Sequence, residues 1–326
     1  MVLINSTDED YSTDEVIRWL YRFETEFIRL NGSVEITNIR YSNGTIKFNV
    51  DNDKEISLEE IKAYWYRRGN FQSGINVLSS NNKMFDSQLE DFLIKENNAL
   101  LDFLLDHLKN EIPCIGDSKL CIDVNKNANL IAATKEGLLI PDFLLTSKKS
   151  EVLDFLNEQS RIITKSINVV FNYSNEDYWY PSYTNEVTLN DLEKFPDNFQ
   201  VSLFQKRLDK KYDIRSFYLD EKIYSMAIFS QNDEQTETDF RKYIYDKPNR
   251  SVPFKLPNAI EEKVIRLMKK LKYESGSIDF VYTKDAKFYF LEINPIGQFG
   301  MTSYPCNYQL EKKIAEHLTT LSNGRK

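Results

Sequence analysis

The stretch GSIDFVYTKDAKFYFLEINPIGQFGMTS, from Gly276 to Ser303, constrains this chain more than any other. Ile278, Phe280 and Tyr282 alternate with Asp279, Val281 and Thr283, and a second run carries Phe288 to Asn294, a pattern that predicts two strands folded on each other. With Asp285-Ala286 as a two-residue turn, Lys284 faces Lys287, and counting outward sets Asp279 directly opposite Glu292. Asn294, two residues beyond Glu292, points the same way.

Two carboxylates with Cβ atoms about 5 Å apart repel by roughly 3 kcal/mol at an effective dielectric of ~20, so a cation is expected between them. Asp279, Glu292 and Asn294 offer oxygen ligands only. That set suits Mg²⁺, which keeps waters and completes its shell from substrate phosphates. The plainer alternative is a solvated hairpin face with an acidic edge. Because the second strand runs straight into Pro295 and Gly297-Gln298-Phe299-Gly300, the acidic face sits at a strand end, and the metal reading is preferred.

The remaining chemistry-bearing residues are few. The three cysteines, Cys114, Cys121 and Cys306, and the two histidines, His107 and His317, lack metal-ligand spacing, so reduced thiols are expected. A net charge of −8 argues against a nucleic-acid partner. No apolar run approaches a membrane span, and Met1 to Asp10 lacks the basic and apolar regions of a signal peptide, so no membrane association and a cytoplasmic location are expected. At 326 residues, two or three packed subdomains are expected.

The rest of the chain reads as an alternation of strands and helices. Val2-Leu3-Ile4 is a strand, followed by a helix capped around Ser12 to Glu15 and carrying Val16, Leu20, Phe23 and Phe27. No GxGxxG follows the strand, so dinucleotide binding has no support. Asn43-Gly44 between Ile39-Arg40-Tyr41 and Thr45 to Phe48 predicts a hairpin. Capping boxes are expected at Ser57-x-x-Glu60, before a short helix, and at Ser87-x-x-Glu90, opening a long helix whose stripe from Leu89 to Leu108 is core and which ends before Pro113. Next come a strand from Leu120 to Val124, a helix from Asn129 to Glu136 stopped by Gly137, a strand to Leu145, a helix around Val152 to Leu156, and a strand from Arg161 to Ile167. Strands are also expected at Val201 to Leu208, Asp213 to Leu219 and Lys222 to Phe229. Asn258 is expected to cap a helix, and Tyr304 to Leu318 reads as one closing helix. Tyr64-Trp65-Tyr66-Arg67-Arg68 is an aromatic strand ending in two arginines.

The run FLEINPIGQFGMTSYP resembles the C-terminal signature of ATP-grasp ligases, in the branch that joins side chains of ribosomally made peptides into ester or amide crosslinks, the graspetide or microviridin-type maturases. Within that branch it is most similar to the grasp-with-spasm group. Lys126-Asn127-Ala128-Asn129-Leu130, then Ala133 and Gly137-Leu138-Leu139-Ile140-Pro141, resembles the family block K-x-x-Q-L-x-x-A-x-x-x-G-L-x-I-P, with Asn129 in place of Gln. The segment FQKRLDKKYDIR resembles the fold's hinge, Thr238-Asp239-Phe240-Arg241 its D-x-R element, and Trp65 to Arg68 its W-x-R-R element.

The resemblance implies an α/β ATP-grasp fold with an N-terminal domain over 1–112, a central domain over 113–198 and a C-terminal ATP-clasping domain over 199–326. It implies ATP and Mg²⁺ as co-substrate and metal, and an ADP-forming carboxylate ligase as the activity. Lys126 and Lys165 would contact phosphates. Backbone groups from Gln205 through Lys206 to Leu208 would meet adenine, Asp213 a ribose hydroxyl, and Arg215 the phosphates. Arg215, Arg241 and Lys165 would stabilise the charge that builds on the transferring group, while Asp279, Glu292 and Asn294 hold the metal. Arg67 and Arg68 would attract an acidic segment of a precursor peptide, the implied partner, and a homodimer is a family-level expectation. A ligase that adds a free amino acid, and a nucleotide-binding scaffold without turnover, are the alternatives. The glycine-rich phosphate lid of many ATP-grasp enzymes has no counterpart, because no glycine stands between Gly137 and Gly276.

Overall fold

The computed structural model describes residues 1–50, 54–73, 80, 82–122, 124–168, 172–175, 178–181, 184–229 and 249–324. The chain divides into two compact units, Met1–Ile122 with Gln309–Lys326, and Asp123–Tyr308. The span expected as one C-terminal domain thus loses its last helix to the N-terminal unit.

In the first unit, β1 (Val2–Asn5), α1 (Tyr11–Arg22), β2 (Phe27–Leu30), β3 (Ile36–Ser42), β4 (Thr45–Val50), β5 (Lys54–Ser57), β6 (Ala63–Tyr66), α2 (Lys83–Glu111), β7 (Cys114–Ile115) and α3 (Ser118–Ile122) follow in order. A parallel sheet of order β2-β1-β6-β7 has β1 at its centre. Val2, Leu3 and Ile4 are fully buried, as a parallel strand covered on both faces requires. Phe27 begins β2 and does not extend α1, because Glu24 at φ 52 ends the helix in a left-handed turn. The expected hairpin at Asn43-Gly44 forms with both residues at positive φ, 53° and 80°, the geometry of a tight two-residue turn. Neither capping box forms on the expected serine. Leu58–Glu60 is a single 3₁₀ turn without a side-chain cap, and α2 begins one turn early, where the Asn82 side chain accepts from the amides of Met84 and Phe85. The part of α2 before Leu101 is also not core: Phe92 and Leu100 are exposed, and the buried residues of the helix are Leu101, Leu104 and Leu108. Leu120 lies in helix α3, not in a strand.

The second unit contains α4 (Lys126–Lys135), β8 (Phe143–Lys148), α5 (Lys149–Gln159), β9 (Ile162–Lys165), β10 (Asn172–Ser174), β11 (Trp179–Pro181), β12 (Asn185–Val187), α6 (Leu189–Glu193), β13 (Asn198–Lys206), β14 (Lys210–Leu219), β15 (Lys222–Phe229), β16 (Arg250–Phe254), α7 (Asn258–Leu271), β17 (Ser275–Thr283), β18 (Phe288–Asn294) and α8 (Gly300–Cys306). Two antiparallel sheets organise it, one of order β12-β9-β13-β8 and one of order β16-β15-β14-β17-β18. β13 and β14 join them through Arg207–Asp209. Phe204 packs with Val152 and Leu156 of α5, so the opposite face of the first sheet carries Lys165, Leu203 and Gln205. The α7 N-cap is Pro257, not Asn258.

The expected closing helix is two helices. Asn307 and Gln309 at φ 53° and 52° break the run, so that α8 stays in this unit while α9 (Leu310–Ser322) packs on α1.

Candidate active site

The predicted hairpin forms, and Asp279 stands directly opposite Glu292. It reaches that register by a route the sequence does not show. Thr283 and Lys287 close a three-residue loop with Ala286 at φ 63°, which alone sets Phe280 against Phe290. A bulge at Leu291 then adds one residue, and the two offsets compensate. Asn294 lies opposite Ser277, exposed, with its Oδ1 accepting from the Gly297 amide at 3.3 Å.

Among the described residues, Arg215 and Lys126 supply charge compensation of the kind expected from a metal. Arg215 of β14 is the cross-strand neighbour of Asp279, and its Nη1 donates to both carboxylate oxygens at 3.1 and 3.2 Å. Lys126, the first residue of α4, places Nζ 3.0 Å from Oε2 of Glu292. Asn125 caps that helix by accepting from the Ala128 amide, which fixes where Lys126 begins. The helix is held to the sheet because the Leu139 carbonyl accepts from the Phe290 amide at 2.8 Å, an added rung beyond β18. The residue types of the K-x-x-Q-L block are thereby brought to the hairpin by backbone pairing.

Asp213 shares a face of β14 with Arg215 and is buried. Lys210 meets it at 2.9 Å, a partner not expected from sequence. Three residues apart on a regular strand, these two would point to opposite faces. A register shift between Lys210 and Tyr212 brings Lys210 round. Bulges of this kind leave no periodic signal, which is why Lys210 was not a candidate.

On the first sheet, Lys165 is half-buried opposite Leu203, and Gln205 is 1% exposed with no hydrogen-bond partner for Nε2 among the described residues. The Lys206 amide donates to the Asp142 carbonyl, and the Leu208 carbonyl accepts from the Lys210 amide. On the neighbouring strand, hydrogen bonds from Arg161, with Arg207 beside it, hold the Glu186 carboxyl below its ordinary range against the opposing effect of burial. Arg241 and the D-x-R element lie outside the described residues.

Arg67 and Arg68 part company. Arg67 is 2% exposed, with Nε 3.2 Å from Oδ2 of Asp10 and Nη2 donating to Ser12 Oγ at 3.1 Å. Arg68 is more open, 3.7 Å from the same carboxylate. Burial pushes the Arg67 guanidinium down to about 10, with Asp10 pulling it back up.

The arrangement can take a cation and an anion together. Asp279, Glu292 and Asn294 present hard oxygen atoms, and among the described residues no larger gathering of His, Cys, Asp and Glu competes for a metal. Arg215 spends one nitrogen on Asp279, while among the described residues its buried Nε has no acceptor and Gln205 Nε2 is likewise unanswered. Donors buried without partners are uncommon in folded proteins, and these two fit a bound oxygen- and nitrogen-rich ligand.

A family model of the MvdD pre-ATP grasp domain matches residues 1–118. A RiPP-associated ATP-grasp ligase from Chryseobacterium gregarium, solved with ADP and a leader and core peptide, is similar over 99% of this chain and 96% of its own, at 23% identity and TM-score 0.82. The macrocyclase MdnC of Microcystis aeruginosa MRC, bound with precursor peptide MdnA, is similar over 98% and 100% at 25% identity and TM-score 0.76. The ATP-grasp ligase PsnB, complexed with a minimal precursor, Mg and ADP, is similar over 98% and 97% at 15% identity and TM-score 0.73. A search of curated protein sequences returns no match.

Proposed function

From a chain with the fold of the RiPP-associated ATP-grasp ligases, its first 118 residues matching the MvdD pre-ATP grasp domain, we propose an ATP-dependent peptide maturase. It activates Asp or Glu side chains of a ribosomally made precursor as acyl phosphates and joins them to Ser or Thr hydroxyls or Lys amines. The observation that carries this reading is the hairpin pair: two opposed carboxylates, Glu292 against Lys126 and Asp279 against Arg215, cations that a phosphate can draw away.

In this mechanism a carboxylate oxygen of the peptide attacks the γ-phosphorus of ATP and ADP departs. The hydroxyl or amine then attacks the acyl carbon, phosphate leaves, and the nucleophile loses its proton. Mg²⁺, held by Asp279, Glu292 and Asn294, would supply Lewis-acid neutralisation of the phosphate oxygens. Lys126 and Arg215, each within hydrogen-bond reach of a metal-face carboxylate, turn to phosphate oxygens when a nucleotide arrives. Lys165 adds a third cation from the other sheet, and Arg241 a fourth. Gln205, Lys206 and Leu208 frame the adenine, and Asp213, oriented by Lys210, meets the ribose. No side chain of the protein is needed as a nucleophile, because the phosphoryl group passes directly to the substrate acid. In the first unit, Arg68 is the exposed arginine that draws an acidic peptide segment, and Arg67 supports it through their shared Asp10.

Mass spectrometry of the precursor after incubation with ATP tests the proposal. Loss of one water per crosslink is expected. Gain of an amino-acid residue mass would instead establish a ligase that adds a free amino acid, and nucleotide binding without peptide-dependent ADP release would establish a scaffold.

A further inference from the structure

The hydroxyl of Ser277 is a buried polar group that the mechanism above leaves unused. Ser277 lies directly opposite Asn294, two pairs beyond Asp279 and Glu292, with unbroken register through Ile278 and Ile293 between them. Ser277 and Asp279 therefore share a face. Ser277 is 1% exposed, and among the described residues its Oγ has no hydrogen-bond partner. The space around it is tight: a Cβ placed on Gly297 would lie 3.2 Å from the Ser277 amide and 3.0 Å from the ring of Phe217, the neighbour of Ser277 on β14. A hydroxyl buried without a partner is a net cost that alanine would avoid, which points to a partner in the loaded state.

Asn294 can be that partner. Its Oδ1 accepts from the Gly297 amide, but the same amide also donates to the Asn294 carbonyl at 3.0 Å, so the side chain can leave without stranding the donor. Facing a cation, the amide must present oxygen and not nitrogen, two ends of nearly equal shape. Turned so, it carries Nδ2 toward the facing strand, where the Cβ atoms of opposed residues lie about 4.5–5.5 Å apart.

We propose that Ser277 is a positioning residue whose hydroxyl accepts a hydrogen bond from Nδ2 of Asn294, locking the amide oxygen toward the metal. The inference rests on the reading of this hairpin as a metal site. It makes a particular demand: aspartate at 294 has two equivalent oxygens and no N–H, so it needs no lock.

The test is Mn²⁺ titration by electron paramagnetic resonance in the presence of ADP, on wild type, Ser277→Ala, Asn294→Asp and the double variant. Ser277→Ala is expected to weaken Mn²⁺ binding about tenfold, and to change it by less than about twofold in the Asn294→Asp background. Thermal melting without metal should show no loss from Ser277→Ala, since its hydroxyl holds nothing in that state. Unchanged Mn²⁺ affinity in Ser277→Ala, or an equal loss in both backgrounds, overturns the proposal while leaving the metal site intact. Wild type that binds no Mn²⁺, or Asn294→Ala that binds it as well as wild type, overturns the metal reading and this inference with it.

Discussion

Each compact unit holds a carboxylate against a basic side chain, and the two pairs serve different ends. Asp10 and Arg67 meet at 3.2 Å with side chains 4% and 2% exposed. Glu292 and Lys126 meet at 3.0 Å with side chains 23% and 27% exposed. Burial makes the first pair permanent, because separating it would leave a charge in a low-dielectric interior. The second is open enough for water or a ligand to compete, so the lysine can exchange one anion for another at modest cost. An ion pair seen in a folded chain thus says little about role until its solvent access is known.

Breaking the open pair on its acidic side should give the largest effect. Glu292→Gln is expected to lower crosslinking by about a thousandfold or more, with little change in thermal midpoint. Product formation by mass spectrometry, alongside a melting curve, checks both halves; a collapse of stability would erase the distinction between the pairs.

The buried pair should answer the other way. Arg67→Met is expected to cost roughly 3–5 kcal/mol in urea unfolding, the weight of a buried carboxylate that loses its nearest cation. Acid adds a signature. Burial alone would raise the Asp10 carboxyl, but Arg67, a hydrogen bond from Ser12 and Arg68 outweigh it and hold it below its ordinary value. A lowered folded-state value contributes stability that is present above the unfolded carboxylate range, about pH 4, and lost as pH falls through the folded value. The stability gap between wild type and Asp10→Asn should therefore narrow on acidification below about pH 4.

Lys126→Met should raise the KM for ATP about tenfold to a hundredfold, as expected for a lost hydrogen bond to a charged group, and leave urea unfolding nearly unchanged. The smallest effect is expected at Arg68. Arg68→Ala should raise the KM for an acidic precursor roughly threefold to fivefold, the weight of an exposed ion pair, and the shift should shrink in high salt. A salt-independent change would place Arg68 with the buried pair.

How far these features could be read in advance depended on their range. The strands around Asp279 and Glu292, the Asn43-Gly44 turn and the end of α2 before Pro113 were all legible, because alternation and turn chemistry act over a few residues. The Ser57 and Ser87 capping boxes were not, since Asn82 took the long helix's cap one turn upstream and a 3₁₀ turn sufficed at Leu58. The apolar stripe of α2 was read as core throughout, yet the part before Leu101 is not buried, because periodicity records which face is apolar and not whether anything covers it. At the site, Asp279, Glu292 and Arg215 stood out as residue types, whereas Lys210 and Ser277 did not. Nothing local distinguishes a lysine carried round by a bulge or a serine without a partner.

By itself the sequence determined which segments pair and which side chains can bear charge, for these follow from residue pattern and side-chain chemistry. Only the tertiary structure decided which charges meet, which are sealed from water and which stay exchangeable. Those outcomes depend on bulges, on the rung that Leu139 adds beside β18, and on burial, each set by contacts between residues far apart in the chain.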